Sequence, residues 1–184
     1  MRTAGEPSDP IKVLHLMLLS FSWGMQLWVS LIAGPALVRQ VPRHTFGLVQ
    51  SKLLRVYFYC LLVGNSGGLI VHVLHHPGEL LELQAVVYVV ALVTAAINAW
   101  WLGPATTELM FLLRGVEEEH GLGRQVGLGS QKEAYAKLRE QDPKYREWKR
   151  RFGRNHGLSS LANLVGFACT TTSLVYTALN LSTI

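Results

Sequence analysis

The sequence predicts an all-α protein: a four-helix transmembrane bundle with a cytoplasmic helical loop between spans three and four. Three observations predict it. Four stretches are long and apolar enough to cross a bilayer, Lys and Arg concentrate in two of the three connections, and each stretch carries small residues four apart. A spanning helix needs about 20 mostly apolar residues to cross hydrocarbon roughly 30 Å thick. Four such helices in 184 residues leave no room for a soluble catalytic domain, so residues 1–184 read as a single integral membrane domain.

The first span covers about residues 13–38, bounded by Lys12 and Arg39 with no Lys, Arg, Asp or Glu between them. Its apolar run is longer than a signal-peptide core, so it is expected to remain uncleaved. The second span covers about 56–74. The third covers about 83–102, with apolar character running on to Leu113, and the fourth covers about 158–181 without a charge. A water-soluble bundle keeps a charged outer face on each helix, which the first and fourth segments lack. Cys60 and Cys169 fall inside spans and read as small core residues, not as a disulfide framework.

Charge sets the expected orientation, because Lys and Arg near span ends favour the cytoplasmic side. Fifteen of the 17 Lys and Arg lie in the connections between spans one and two and between spans three and four. The amino terminus offers Arg2 and Lys12, and the 75–82 connection and the carboxyl terminus offer none. Both termini are therefore expected on the non-cytoplasmic side. The pI near 9.4 follows from this asymmetry, so it does not argue for nucleic acid, and no nucleic-acid partner is expected. The bilayer itself is the partner the sequence implies.

Membrane helices approach closely through small residues four apart. Such sets are Ser20/Gly24 and Ser30/Gly34, Gly64/Gly68, Ala91/Ala95/Ala99, and Ala162/Gly166/Thr170. They predict a tightly packed bundle and leave a homo-oligomer open, as they leave open any protein partner.

The cytoplasmic loop spans about 114–156. Gly103-Pro104 predicts a kink in the third helix, which continues toward Glu117-Glu118-Glu119. Gly121, Gly123, Gly127 and Gly129 predict a flexible linker, and 131–140 a short surface helix. Asp142-Pro143 is a helix start, an N-cap followed by proline at the first position. Beyond it Tyr145, Trp148 and Phe152 recur at helical spacing among Lys144, Lys149, Arg150, Arg151 and Arg154. That composition suits a helix lying in the headgroup region, with these five cations toward anionic lipid phosphates. A plain positive anchor for the fourth span is the alternative.

Polar groups inside hydrocarbon are costly and therefore informative. Gln26, Asn65, Thr94, Asn98 and Asn163 form such a layer. It reads either as an interhelical hydrogen-bond network, each bond contributing about 0.6 kcal/mol, or as a cleft for a small ligand or ion. His15, His72, His75 and His76 gather at the opposite end, and the i, i+3, i+4 spacing of the last three could present two imidazoles to Zn²⁺ or Cu²⁺. Interfacial anchoring is their simpler role, and a haem held by His15 and His72 is the remote one. At the cytoplasmic end His156, Arg43 and Glu108 could close the bundle as a polar cluster. No Ser-His-Asp set, glycine-rich phosphate loop or CxxC pattern is present, and neither a cofactor nor an enzymatic activity is expected.

Several phrases go beyond composition: Trp23-Gly24-Met25-Gln26, the run from Pro42 to Leu53, Asp142-Pro143-Lys144-Tyr145, and His156-Gly157-Leu158-Ser159-Ser160-Leu161. In order and spacing they resemble the transmembrane protein 205 family over nearly the whole chain. The resemblance implies a small four-span protein of the endomembrane system or plasma membrane, without an established enzyme activity. It also implies an association with cellular resistance to platinum drugs. Sulfur suits soft platinum or Cu(I), and the spans hold only Met17, Met25, Cys60 and Cys169. A small transporter or metal-binding membrane protein is the alternative, and a haem- or quinone-linked redox protein a further one.

Overall fold

The structure, a computed structural model, describes residues 9–75, 83–127, 129 and 131–179. Helix α1 (Asp9–Leu27) runs through a π-helical turn (Trp28–Ala33) into α2 (Gly34–Gln40), and α3 is Arg43–His75. Helix α4 (Leu83–Ile97) runs through a second π-helical turn (Asn98–Leu102) into α5 (Gly103–Glu119). Helix α6 is Lys132–Gln141 and α7 is Pro143–Leu179. Among the described residues four helices are long and apolar enough to cross a membrane: Asp9–Gln40, Arg43–Leu74, Leu83–Glu119 and Pro143–Leu179. At 1.5 Å per residue, 32 to 37 residues reach about 48–55 Å, well beyond a hydrocarbon core of roughly 30 Å. Each helix therefore carries one or more turns outside it.

Around the bundle the order is α1, α3, α4, α7, with α7 closing back on α1. The side chains are sorted as hydrocarbon demands. Val13, Leu14, Met17, Phe21 and Leu31 face outward, while Ser22 and Gln26 of the same helix face in. On α7 the inward stripe is Gly166, Thr170, Ser173 and Thr177, at spacings of four, three and four. Lipid is as apolar as leucine, so close packing and hydrogen bonds must hold such helices together.

Glycine and alanine supply the closeness. A Cβ on Gly68 would lie 2.6 Å from Tyr88, one on Gly64 would run into Ser22, and one on Gly166 would lie 2.9 Å from Thr94 Oγ1. Ala91, Ala95 and Ala99 are buried, the last two in a cluster with Val29, Tyr57, Phe58 and Leu61. The Ser20/Gly24 pair does not take part: Ser20 is exposed and nothing lies within 4 Å of a Cβ on Gly24. Ser22 and Gln26, one helical step round, are the residues of α1 that face the bundle.

The predicted kink at Gly103-Pro104 is a wide turn. Proline has no N–H, and its ring collides with the carbonyl four residues back. The chain absorbs this by passing the Gly103 N–H to Asn98 O, five residues back, and the Gly34 N–H before Pro35 goes likewise to Val29 O. A Cβ on Gly103 would stand 2.5 Å from Asn98 O, which is why glycine precedes the proline there.

Two expectations for the loop are corrected. The glycine-rich stretch is not a free linker. It begins as a Schellman turn, with Gly121 N–H on Glu118 O, Leu122 N–H on Glu117 O and Gly121 at φ +69°. It then lies along the start of α3, where Gly123 O and Gln125 O accept the backbone N–H groups of His44 and Arg43. A helix start has such groups unsatisfied, so the loop serves as its cap. The aromatic basic segment, in turn, is the start of the unbroken α7 and not a separate helix in the membrane plane. Asp142 caps it as expected, its Oδ1 accepting from the Lys144 and Tyr145 N–H groups. Tyr145 is fully buried with Leu113, Leu122 and Leu138, and Trp148 and Phe152 pack on that cluster. The aromatic face thus meets protein; burying each large side chain there contributes about 1.5–3 kcal/mol.

Candidate functional site

Four of the five mid-membrane polar residues share one small void. Gln26, Thr94, Asn98 and Asn163 line a cavity of about 10 Å³ together with Phe58 and Leu61. Asn65 is buried but does not line it; its Nδ2 donates to Leu61 O of its own helix. Gln26 Nε2 donates to Thr170 Oγ1 at 3.2 Å, and Thr170 in turn donates to Gly166 O. Asn98 Nδ2 donates to Ser159 O at 3.1 Å. Asn163 accepts from Tyr57 Oη at 2.6 Å and donates to Ser30 Oγ at 2.9 Å. These partners fix both remaining amide atoms as oxygens, since a carbonyl and an already-donating hydroxyl can only accept. Gln26 Oε1 and Asn98 Oδ1 are buried without a partner. Two bare acceptors beside a space of about one probe sphere call for a single water or a cation. Gln26 lies just before the first wide turn, and Asn98 opens the second.

At the opposite end His15 and His72 converge on Tyr88. His15 Nε2 is 2.6 Å from Tyr88 Oη, and the His72 and Tyr88 ring centroids are 6.4 Å apart. His75 closes α3, and His76 lies outside the described residues. Among the described residues no three His, Cys, Asp or Glu side chains gather as a metal site.

The end bearing the loop holds a charged cluster with a composition the sequence reading missed. Glu117 is 2% exposed and accepts from three side chains on two helices: His44 Nε2 at 2.8 Å and Arg43 Nη2 at 3.4 Å on α3, and Tyr145 Oη at 2.7 Å on α7. Burial, then the Glu117 carboxylate beside it, pushes the Tyr145 phenol above its usual value. Around the rim Arg114 holds the exposed Glu118 carboxyl below the usual range. The predicted partners Glu108 and His156 are both exposed; His156 stacks on Phe152 with centroids 5.7 Å apart. The available signal was local: Met110, Leu113 and Glu117 stand at spacings of three and four, which places a carboxylate on an apolar stripe.

The five predicted headgroup cations divide. Lys144, Arg150, Arg151 and Arg154 are exposed, with Lys144 over the Trp148 ring and Arg151 paired to Glu147. Lys149 turns inward to a cleft of about 200 Å³ lined also by Arg43, Lys132, Arg139, Tyr135 and Tyr145. Burial and then the neighbouring Arg43 lower its ammonium below the usual lysine value.

The domain of unknown function DUF4149 matches residues 17–114, which run from the middle of α1 through most of α5 and exclude Glu117, α6 and α7. No solved structure is similar to the chain. Transmembrane protein 205 of Danio rerio is 56% identical over 188 residues, an alignment covering 100% of this chain and 100% of that protein. With that identity over its full length, the chain belongs to the transmembrane protein 205 family.

Proposed function

We propose that this protein is a non-enzymatic carrier of a small, oxygen-coordinated cation. It would act in the endomembrane system or plasma membrane with both termini on the non-cytoplasmic side. The observation that carries the reading is the pair of unpartnered oxygens, Gln26 Oε1 and Asn98 Oδ1, at a void between helices that both widen there. Hard cations take carbonyl and hydroxyl oxygens. Interrupted helices that expose polar groups at mid-membrane are the usual construction of such sites. The polar groups of the layer are amides and hydroxyls, which bind ions but are poor proton donors and acceptors. Resistance to platinum drugs would then follow indirectly from ion movement; Met17 faces outward at 64% exposure and is badly placed to carry platinum through the bundle.

Vesicles reconstituted with the protein test the reading. Sodium should move down an imposed gradient, read by an entrapped dye, while proton flux should match that of empty vesicles. The Gln26→Leu/Asn98→Leu variant should lose at least about tenfold of that flux with little change in melting temperature, because the loss of two interhelical hydrogen bonds, about 0.6 kcal/mol each, is offset by removing two unsatisfied buried oxygens. Cells complemented with this variant should stay platinum-sensitive. Sodium flux equal to that of empty vesicles refutes the proposal.

A further inference from the structure

Three elements converge on the cleft beside the Glu117 cluster. Helix α6 presents Lys132, Tyr135 and Arg139 at spacings of three and four, one face of a helix. Tyr145 and Lys149 stand one turn apart on α7, and Arg43 opens α3. Four cations thus line a space of about 200 Å³, and no carboxylate lines it. Glu117, the carboxylate that acts on Lys149, has its oxygens already engaged by His44, Arg43 and Tyr145. Counting it, the cleft keeps a net three positive charges.

The geometry holds these charges in place. The Arg43 guanidinium lies 4.4 Å from the Tyr135 ring centroid and spends one N–H on Glu117, out of the five it carries. Lys149 is half-buried with its ammonium over Phe152, and no described carboxylate pairs with Lys132, Arg139 or Lys149. Like charges repel, and no lining carboxylate offsets these four around the hollow. Such an array is what a multiply charged phosphate needs: a planar fork from arginine, point charges from lysine and hydroxyls from tyrosine.

We infer that this cleft, formed by Arg43, Lys132, Arg139 and Lys149 with Tyr135 and Tyr145, is a binding site for a multiply charged phosphate group. Its height limits the source. Lys149 lies nine residues before the predicted membrane edge at Leu158, about 14 Å along the helix. The headgroup layer is only about 5–8 Å deep. The phosphate must stand off the bilayer, either on a phosphorylated inositol headgroup or on a soluble compound. The site is independent of the carrier reading, since it shares no residue with the mid-membrane layer.

The full-length protein decides this in two settings. In detergent, inorganic pyrophosphate is titrated against melting temperature at fixed ionic strength. In phosphatidylcholine nanodiscs, melting is compared with and without phosphatidylinositol 4-phosphate. The cleft variant is Lys132→Gln/Arg139→Gln, both exposed and safe for folding; the charge-matched control is Lys137→Gln/Arg146→Gln, exposed neighbours outside the lining. The expected result is stabilisation of the wild type and the control, with affinity on the order of tenfold to a hundredfold weaker in the cleft variant. Stabilisation by pyrophosphate alone supports a soluble phosphate, stabilisation by the lipid alone supports the headgroup, and both together support a site open to either. No stabilisation in either setting, or equal loss in the control, overturns the inference.

Discussion

Replacing Glu117 tests whether the loop end is held by one buried charge. Glu117→Leu keeps similar bulk and removes the acceptor shared by Arg43, His44 and Tyr145. Breaking a buried ion pair from one side costs about 3–5 kcal/mol. The lower end applies here, because the Arg43 side chain is 22% exposed and can reach water. Tyr145→Phe alone removes one hydrogen bond to a charged acceptor, about 1.5 kcal/mol. In the Glu117→Leu background the same change should cost almost nothing, giving a coupling of about 1–1.5 kcal/mol between the two positions. Unfolding in mixed micelles, followed by tryptophan fluorescence, reads these differences, and Trp148 packs on the cluster itself. At about 2–4 °C per kcal/mol for a chain of this size, Glu117→Leu should melt roughly 6–12 °C below the wild type. A loss under about 1 kcal/mol, or strict additivity with Tyr145→Phe, would refute the central role given to this carboxylate.

Tyr145 also predicts alkaline behaviour. Its folded value lies above the unfolded value near 10, so its contribution is complete below pH 10 and is lost as pH climbs beyond that; a melting curve against pH should fall there more steeply for the wild type than for Tyr145→Phe. Gly123 stands at φ +90° with its Cα against the His44 ring. Gly123→Ala should cost about 2–3 kcal/mol through left-handed strain and displacement of that ring, with faster amide exchange at Arg43 and His44. Gly68→Val pushes atoms into Tyr88 and should cost about 1–3 kcal/mol as overpacking, seen as a lower melting temperature. Glycosylation acceptor tags before Asp9 and beside Gly129 should be modified only at the former; the reverse pattern overturns the orientation.

What could be read from the sequence divides by the kind of force involved. The four spans were legible because hydrocarbon imposes length and polarity on every residue of a helix. Asp142-Pro143 was legible because a cap is local. The mid-membrane polar residues were legible as a set, since the bilayer makes each one conspicuous, but their pairing was not: Asn65 turns to its own helix while Ser30 and Tyr57 join Asn163. The loop was misread because glycine spacing reports backbone freedom and not where the chain goes. Its positive-φ glycines build a cap on α3, a contact across about 80 residues that no local pattern carries. Tyr145 makes the same point: an aromatic face states only that something apolar covers it, and here the cover is Leu113, Leu122 and Leu138.

The wide turns explain the remaining miss and tie the two sites together. Nineteen residues separate Asn98 from Glu117, and at about 100° per residue an unbroken α-helix would leave them about 100° apart. A periodicity carried through Gly103-Pro104 therefore sets Glu117 off the face that Asn98 occupies. A π-helical turn absorbs one extra residue. The remaining eighteen steps make five whole turns, and both side chains return to the same face, 1% and 2% exposed. The proline that removes a backbone donor thus sets the register of everything after it. Asn98 meets the cavity and Glu117 meets Arg43, His44 and Tyr145 along one helix edge because of that single inserted residue. The same turn that exposes polar groups at mid-membrane also sets the aim of the carboxylate that closes the loop end.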